Sequence, residues 1–273
     1  MLQRSVDDVL DASADIEWAV SIRDAAGAEL VCRNGDRAMN TASVGKLLLL
    51  VEVARQCAAG DLSGTTLLRR SPELLVADSG LWRHMQVNDL AVDDLCVLIA
   101  SVSDNTATNV LLDRVGLPRV GTLAESLGLV HTALLDYVRD PRGPEHPPTL
   151  STGSASELSR LMGQLSRREL VSPTVSERVI AWLATGVDLS MVASTFGLDP
   201  LAHARSDRNM VFRNKTGADP GVRADVGTVR RNATCLSYAV IANWEPAADD
   251  LRDEVLSGMN AVGTILRTVL EGE

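Results

Sequence analysis

The sequence predicts a mixed α/β chain of the α+β kind: a five-stranded antiparallel sheet flanked by terminal helices, plus an inserted all-helical lobe. Three observations predict it. Strand-like runs gather near the two ends of the 273 residues, the stretch between them reads as helix after helix, and each end carries one further helix. The sheet lobe is expected from residues 1–42 and 196–273, and the helical lobe from 43–195, interleaved as one unit. A cleft between two such lobes is the natural place for a site.

The elements follow in chain order. Residues 3–14 place Val6, Val9 and Leu10 on one helical face. Residues 18–22 and 29–33 read as short strands, with a hairpin turn at 25–27. Residues 43–59 form a strongly apolar helix that Gly60 ends. Helices are expected from Asp89 to Ala100, Thr106 to Val115 and Val120 to Leu127. The segment DPRGPEHPP, 140–148, is the clearest loop. Ser154 with Glu157 predicts a capping box opening the helix that ends near Ser166. Another helix begins at Pro173, where proline suits a first turn. Strands are expected at 210–214, 223–229 and 235–243, and a last helix from about Asp249 to Leu270.

Composition narrows the function classes. Hydrophobic residues make up 45% and aromatics only 3%, so a sizeable core must rest on Leu, Val, Ala and Ile. A net charge of −10 without a basic stripe argues against nucleic acid. No run of 18 apolar residues exists to span a membrane. The first 18 residues hold five acids and no apolar core of a leader, which places the chain in the cytoplasm, or outside it if a leader has been removed. Cys32, Cys57, Cys96 and Cys235 form no CxxC and are expected as free, mostly buried thiols. His84, His131, His146 and His203 show no ligand spacing, so no metal and no cofactor are expected.

Of the 26 basic residues only Lys46 and Lys215 are lysines. Arginine holds its charge permanently, whereas a buried lysine can lose its proton and serves as a compact point charge. Each lysine sits in a short pattern. In Ser43-Val44-Gly45-Lys46, positions i and i+3 share a helix face, so hydroxyl and amine can meet. Burial of the leucine-rich helix lowers a lysine pKa and makes it a base near neutrality. A snorkelling helix lysine is the ordinary alternative. Ser103-Asp104-Asn105 lies between two helices, where it can cap the second or supply a proton-shuttling hydroxyl and a side-chain amide. Asp104 more naturally holds the turn. Lys215-Thr216-Gly217 ends a strand, as turn chemistry or as a cation beside a closely approachable backbone. Trp82 lies in the loop SGLWRHM, facing either the cleft or the core.

The trio S-x-x-K, S-D-N and K-T-G, in this order, marks class A β-lactamases and penicillin-binding proteins. The spacings are 60 residues from Ser43 to Ser103 and 112 from Ser103 to Lys215. The chain resembles class A β-lactamases at these points, and SVSDNTATNVLLDRVG, 101–116, resembles that family well beyond the tripeptide. The resemblance implies a penicillin-recognising serine hydrolase acting through an acyl-enzyme. It implies Ser43 as nucleophile, Lys46 as general base or relay, and Ser103 as proton donor to the leaving nitrogen. Asn105 would hold a substrate amide, Lys215, Thr216 and Arg223 would meet the substrate carboxylate, and Gly217 would let a substrate backbone approach closely. The backbone N–H groups of Ser43 and Ala218 would form the oxyanion hole. The implied partner is a small β-lactam or related amide or ester, with no nucleic acid and no membrane, bound by a monomer.

One departure stands out. The family carries a glutamate in an E-x-x-L-N stretch that activates the water clearing the acyl-enzyme. Here Leu135-Asp136 begin the corresponding loop, but YVRDPRGPEHPP follows and Arg139 falls about where the glutamate belongs. Asp140 and Glu145 are the nearby acids. Fast acylation with slow release is one expectation. An esterase, peptidase or biosynthetic amidase on the same scaffold, or a non-catalytic penicillin-binding relative, is the other.

Overall fold

The computed structural model describes residues 2–11, 14–202, 206–246 and 250–272, so His203 and the expected helix start at Asp249 lie outside the described residues. Five strands form one sheet: β1 (Ile16–Arg23), β2 (Glu29–Arg33), β3 (Met210–Asp219), β4 (Val222–Arg231) and β5 (Thr234–Trp244). Their order is β2-β1-β5-β4-β3, with every neighbour antiparallel. The two chain ends therefore meet at the β1–β5 pair, where Val20 stands opposite Val240.

Eight α-helices are described: α1 (Leu2–Leu10), α2 (Lys46–Ala59), α3 (Val92–Val102), α4 (Asn105–Val115), α5 (Leu117–Ser126), α6 (Ala155–Arg167), α7 (Pro173–Leu183) and α8 (Arg252–Glu271). Alternation along β5 sends residues to opposite faces. Leu236, Tyr238 and Val240 join α1 and α8 in one core, while Ala239 and Ile241 join the helical lobe in another. The sheet is thus the wall between two cores, and only the lobe-side core touches α2.

Several boundaries differ from expectation for physical reasons. The helix from Asp89 begins at Val92, because 89–91 pairs as a strand with Leu67–Arg69. The capping box at Ser154 is half made. Its hydroxyl accepts from the Glu157 N–H, but the Glu157 carboxylate accepts from the N–H groups of Val130 and His131. The thiols are free, with Cys96 and Cys235 buried, Cys57 half-buried and Cys32 exposed. No described helix is long and apolar enough to cross a membrane. Among the described residues no group of three or more His, Cys, Asp or Glu is placed to hold a metal ion.

Candidate active site

The expected helix at 43–59 is two elements. A 3-10 turn, Ala42–Gly45, precedes α2, and Ser43 sits in that turn. Ala42 is held at φ +47, a left-handed conformation that costs an alanine about 1–2 kcal/mol. Surrounding contacts enforce it. The Ser151 hydroxyl donates to the Ala42 carbonyl at 2.6 Å and shares a 2.7 Å hydrogen bond with the Thr41 hydroxyl. The Thr41 N–H donates to the Ser151 carbonyl at 3.1 Å. Two glycines let other segments approach the turn. A Cβ on Gly45 would stand 2.3 Å from the Ser151 Cβ, and one on Gly217 would stand 2.2 Å from the Thr41 carbonyl and 3.0 Å from the Ser43 nitrogen. Gly217 of the K-T-G pattern is therefore the point where β3 presses on the Ser43 turn.

Lys46 opens α2 and is fully buried. Its Nζ donates to the Ser103 carbonyl at 2.7 Å, to Asn105 Oδ1 at 2.6 Å and to Ser103 Oγ at 3.2 Å. Lys215 Nζ donates to Ser103 Oγ at 3.1 Å and to the Thr216 carbonyl at 2.7 Å. The Ser103 hydroxyl thus stands between the two lysine amines of the chain. Burial, then repulsion from Lys215, drives the Lys46 pKa well below the ordinary lysine value, against a smaller pull from Asp104. Burial also lowers the Lys215 pKa, to about 8, against the attraction of Asp188 and Asp225. When Lys46 is neutral its lone pair can accept the Ser103 hydroxyl proton, while Lys215 donates to the same oxygen.

Ser103 reaches this place at φ +57, as the left-handed residue closing α3. Asp104 does hold the turn. One of its oxygens caps α4 at the Ala107 N–H (2.8 Å), and the other accepts from Leu81 and Trp82 (2.7 and 2.8 Å). Trp82 is fully buried in the lobe core, so it does not line the cleft. Asn105 spends its amide internally, with Oδ1 on Lys46 and Nδ2 donating to the Ala77 carbonyl at 3.2 Å.

A cavity of about 260 Å³ opens over these groups, with Ser43, Ser103, Lys215, Thr216 and Ala218 on its wall. Lys46 and Asn105 lie one hydrogen bond beneath it. Arg223 stands apart. The strand register sets it opposite Ala218, but its guanidinium donates to the Asp219 and Val222 carbonyls and lies over Trp244, beside a neighbouring cavity.

The acids of the 136–148 loop are all engaged elsewhere. Asp136 is bound by Arg139, Arg142 and the Tyr137 N–H. Burial pushes its carboxyl up, but those donors outweigh burial and leave its pKa below the usual carboxylate value. Asp140 accepts from the Ala77 N–H at 2.8 Å, and exposed Glu145 lies 3.3 Å from His146. Asn109 grips the loop by exchanging two 2.9 Å hydrogen bonds with the Val138 backbone.

Three polar groups escaped the sequence reading. Asp188 lies on the cavity wall and accepts from Thr216 Oγ1 at 2.6 Å. Asp225 is buried beneath the K-T-G strand and accepts from Asn214, Tyr238 and the Val192 N–H. Burial raises its carboxyl pKa to about 7 despite those donors. An acid inside the apolar alternation of RADVGTV signals Asp225, whereas Asp188, one of three aspartates between α7 and β3, carries no comparable signal. Ser151, which pins the Ser43 turn, lies on the strand after the loop and has no motif around it.

The likeness to solved structures is broad and low in identity. A β-lactamase from Sphaerobacter thermophilus DSM 20745 superposes with a TM-score of 0.84 at 23% identity, over 100% of this chain and 97% of that one. PBP-A superposes at 0.84 with 21% identity, over 100% and 96%. A PBP-A mutant, solved as an acyl-enzyme complex with penicillin G, gives 0.83 at 21%, over 100% and 97%. No curated protein sequence matches the chain. A sequence model described as the β-lactamase enzyme family matches residues 1–267, nearly the whole length, and the chain belongs to that family.

Proposed function

We propose that the chain is a class A β-lactamase-like serine hydrolase that forms an acyl-enzyme on Ser43, opens β-lactam amide bonds and releases the acyl group slowly. One observation carries the reading. The Ser103 hydroxyl sits 3.2 Å from Lys46 Nζ and 3.1 Å from Lys215 Nζ, on the wall of a cavity that Ser43 also lines.

In the proposed sequence Ser43 Oγ attacks the amide carbonyl carbon and its proton passes to neutral Lys46. The N–H groups of Ser43 and Ala218 face the oxygen that becomes negative. As the carbon–nitrogen bond breaks, the leaving nitrogen takes a proton through Ser103, and Lys46 restores the Ser103 proton. The acyl ester on Ser43 then waits for water. Asp136, Asp140 and Glu145 are committed to Arg139, Ala77 and the loop surface, which supports slow release. The PBP-A mutant with penicillin G on its acyl-enzyme supports a penicillin as first substrate to try.

Intact-mass spectrometry after incubation with penicillin G tests this. The expected result is one adduct of the whole penicillin that persists, is absent in Ser43→Ala and maps to Ser43. Rapid turnover of a reporter cephalosporin with no lasting adduct would sink slow release. Hydrolysis of small esters with no β-lactam reaction would decide for an esterase, peptidase or amidase. Affinity unchanged by Ser43→Ala, without any reaction, would decide for a binding module.

A further inference from the structure

The position of Asp188 bears on which acyl donors the site accepts. The family resemblance implies that the Thr216 hydroxyl of the K-T-G pattern meets a substrate carboxylate. A hydroxyl has one proton to give. Here Thr216 Oγ1 gives it to Asp188 Oδ2 at 2.6 Å. The other oxygen of Asp188 accepts from the Ser190 hydroxyl at 2.6 Å and the Ser190 N–H at 3.1 Å, which fixes the carboxylate's orientation. The segment is anchored as well. The Val187 N–H donates to the Ser101 carbonyl at 3.2 Å, and Asn214 Nδ2 donates to the Asp188 carbonyl at 3.2 Å. Burial pushes the Asp188 carboxyl up, but the Ser190 and Thr216 donors and the nearby Lys215 charge more than offset it, so the group is an anion at neutral pH.

We infer that Asp188 is a specificity-determining residue whose carboxylate fills, from within the chain, the anion position at Thr216, so that the site favours acyl donors lacking a carboxylate there. The inference rests on the Ser43 reading above and names its substrate class: neutral or amine-bearing amides and esters. A substrate carboxylate entering beside Thr216 meets a hydroxyl whose proton is already given away and a fixed negative charge, which offsets the attraction of Lys215. An ester, an amide or an ammonium group at that point meets acceptors it can tolerate or bind.

The test compares penicillin G with its methyl ester, which differ only in the carboxylate. Second-order acylation rates are read by intact mass for wild type, Asp188→Asn and Asp188→Ala. Asn is nearly isosteric and removes the charge, whereas Ala also frees the Thr216 hydroxyl. The expected result is that the acid-to-ester rate ratio rises about tenfold or more in Asp188→Ala, the scale of one hydrogen bond to a charged group, and by less in Asp188→Asn. Adducts with an unchanged ratio in both variants would overturn this inference alone. So would an equal slowing of both probes, which marks a structural role. No adduct from either probe on any protein would defeat the Ser43 reading and this inference with it.

Discussion

Beneath and along the cavity, Lys46, Ser103 and Asn105 at helix ends and Lys215 on β3 share one continuous set of hydrogen bonds. On the 136–148 loop, every carboxylate is turned to an arginine, a backbone N–H or solvent. The first region tolerates cost to hold chemistry. It buries two lysines and keeps Ala42 and Ser103 in left-handed conformations. The second region spends its charges on its own shape. Under the proposed function the contrast separates making an acyl-enzyme from clearing it, since the groups suited to the first are assembled and the loop acids are engaged elsewhere.

The comparison breaks most sharply at Lys46. Lys46→Arg keeps a cation but removes the amine that can lose a proton. Acylation is expected to slow by about 10²–10⁴-fold, the usual worth of a general base. Stopped-flow acylation with parallel thermal melting checks this, because the larger guanidinium must also fit a fully buried place. Wild type itself carries a pH signature. Acylation rises as Lys46 loses its proton, with a limb well below the ordinary lysine range, and falls near pH 8 as Lys215 loses its charge. Acylation that is flat across that range would detach both amines from the chemistry.

A smaller effect sharpens the same side. After burial, repulsion from Lys215 is the next cause holding the Lys46 pKa down. Lys215→Ala removes that positive charge, so Lys46 keeps its proton to higher pH. The acid limb of the acylation profile is expected to move upward, toward the ordinary lysine value. A pH–rate series on the variant reads the shift directly. A limb that stays in place would show that the two amines are uncoupled, despite sharing Ser103 Oγ.

How much of this was legible in the sequence differs between the same two regions. Ser43, Lys46 and Ser103 stood out because each lies where an element starts or ends, and short motifs record such junctions well, whereas Lys215 lies inside β3 and stood out through its K-T-G pattern. The sheet was legible from clusters of strand patterns, although β3, β4 and β5 run longer than their apolar cores suggested. The 3-10 turn under Ser43 was not, because it is imposed by Ser151, 108 residues away, through the Ala42 carbonyl. Asn105 read as a free amide, yet Lys46 and Ala77 consume it, and only tertiary contact brings them together. Arg223 read as a carboxylate ligand through the family resemblance and its distance along the chain from Lys215. The strand register sets it beside Ala218, but nearby carbonyls and Trp244 hold the guanidinium away from the Ser43 cavity. Asp188 carried no pattern that pointed to the site, since Ser190 meets it locally and Thr216 reaches it only once β3 is in place.

The smallest expected effect tests the loop side by its silence. Asp140 and Glu145 are the acids that could replace the absent family glutamate. Asp140 holds the Ala77 N–H, whose residue also accepts from Asn105, so Asp140→Asn disturbs a loop that touches the acylation network from behind. Glu145 is exposed and lies beside His146, so Glu145→Gln removes a solvated charge. Release of a preformed penicillin adduct, followed by mass against time, is expected to stay within about twofold of wild type in each variant and in the double variant. Acylation in Asp140→Asn can slow slightly while release does not, because the contact it loosens leads to Asn105 and not to the ester. A release rate that collapses in either variant would place a working base on the loop. It would then require the loop to rearrange once the acyl group is bound, turning a carboxylate away from Ala77 or from solvent and into the cavity.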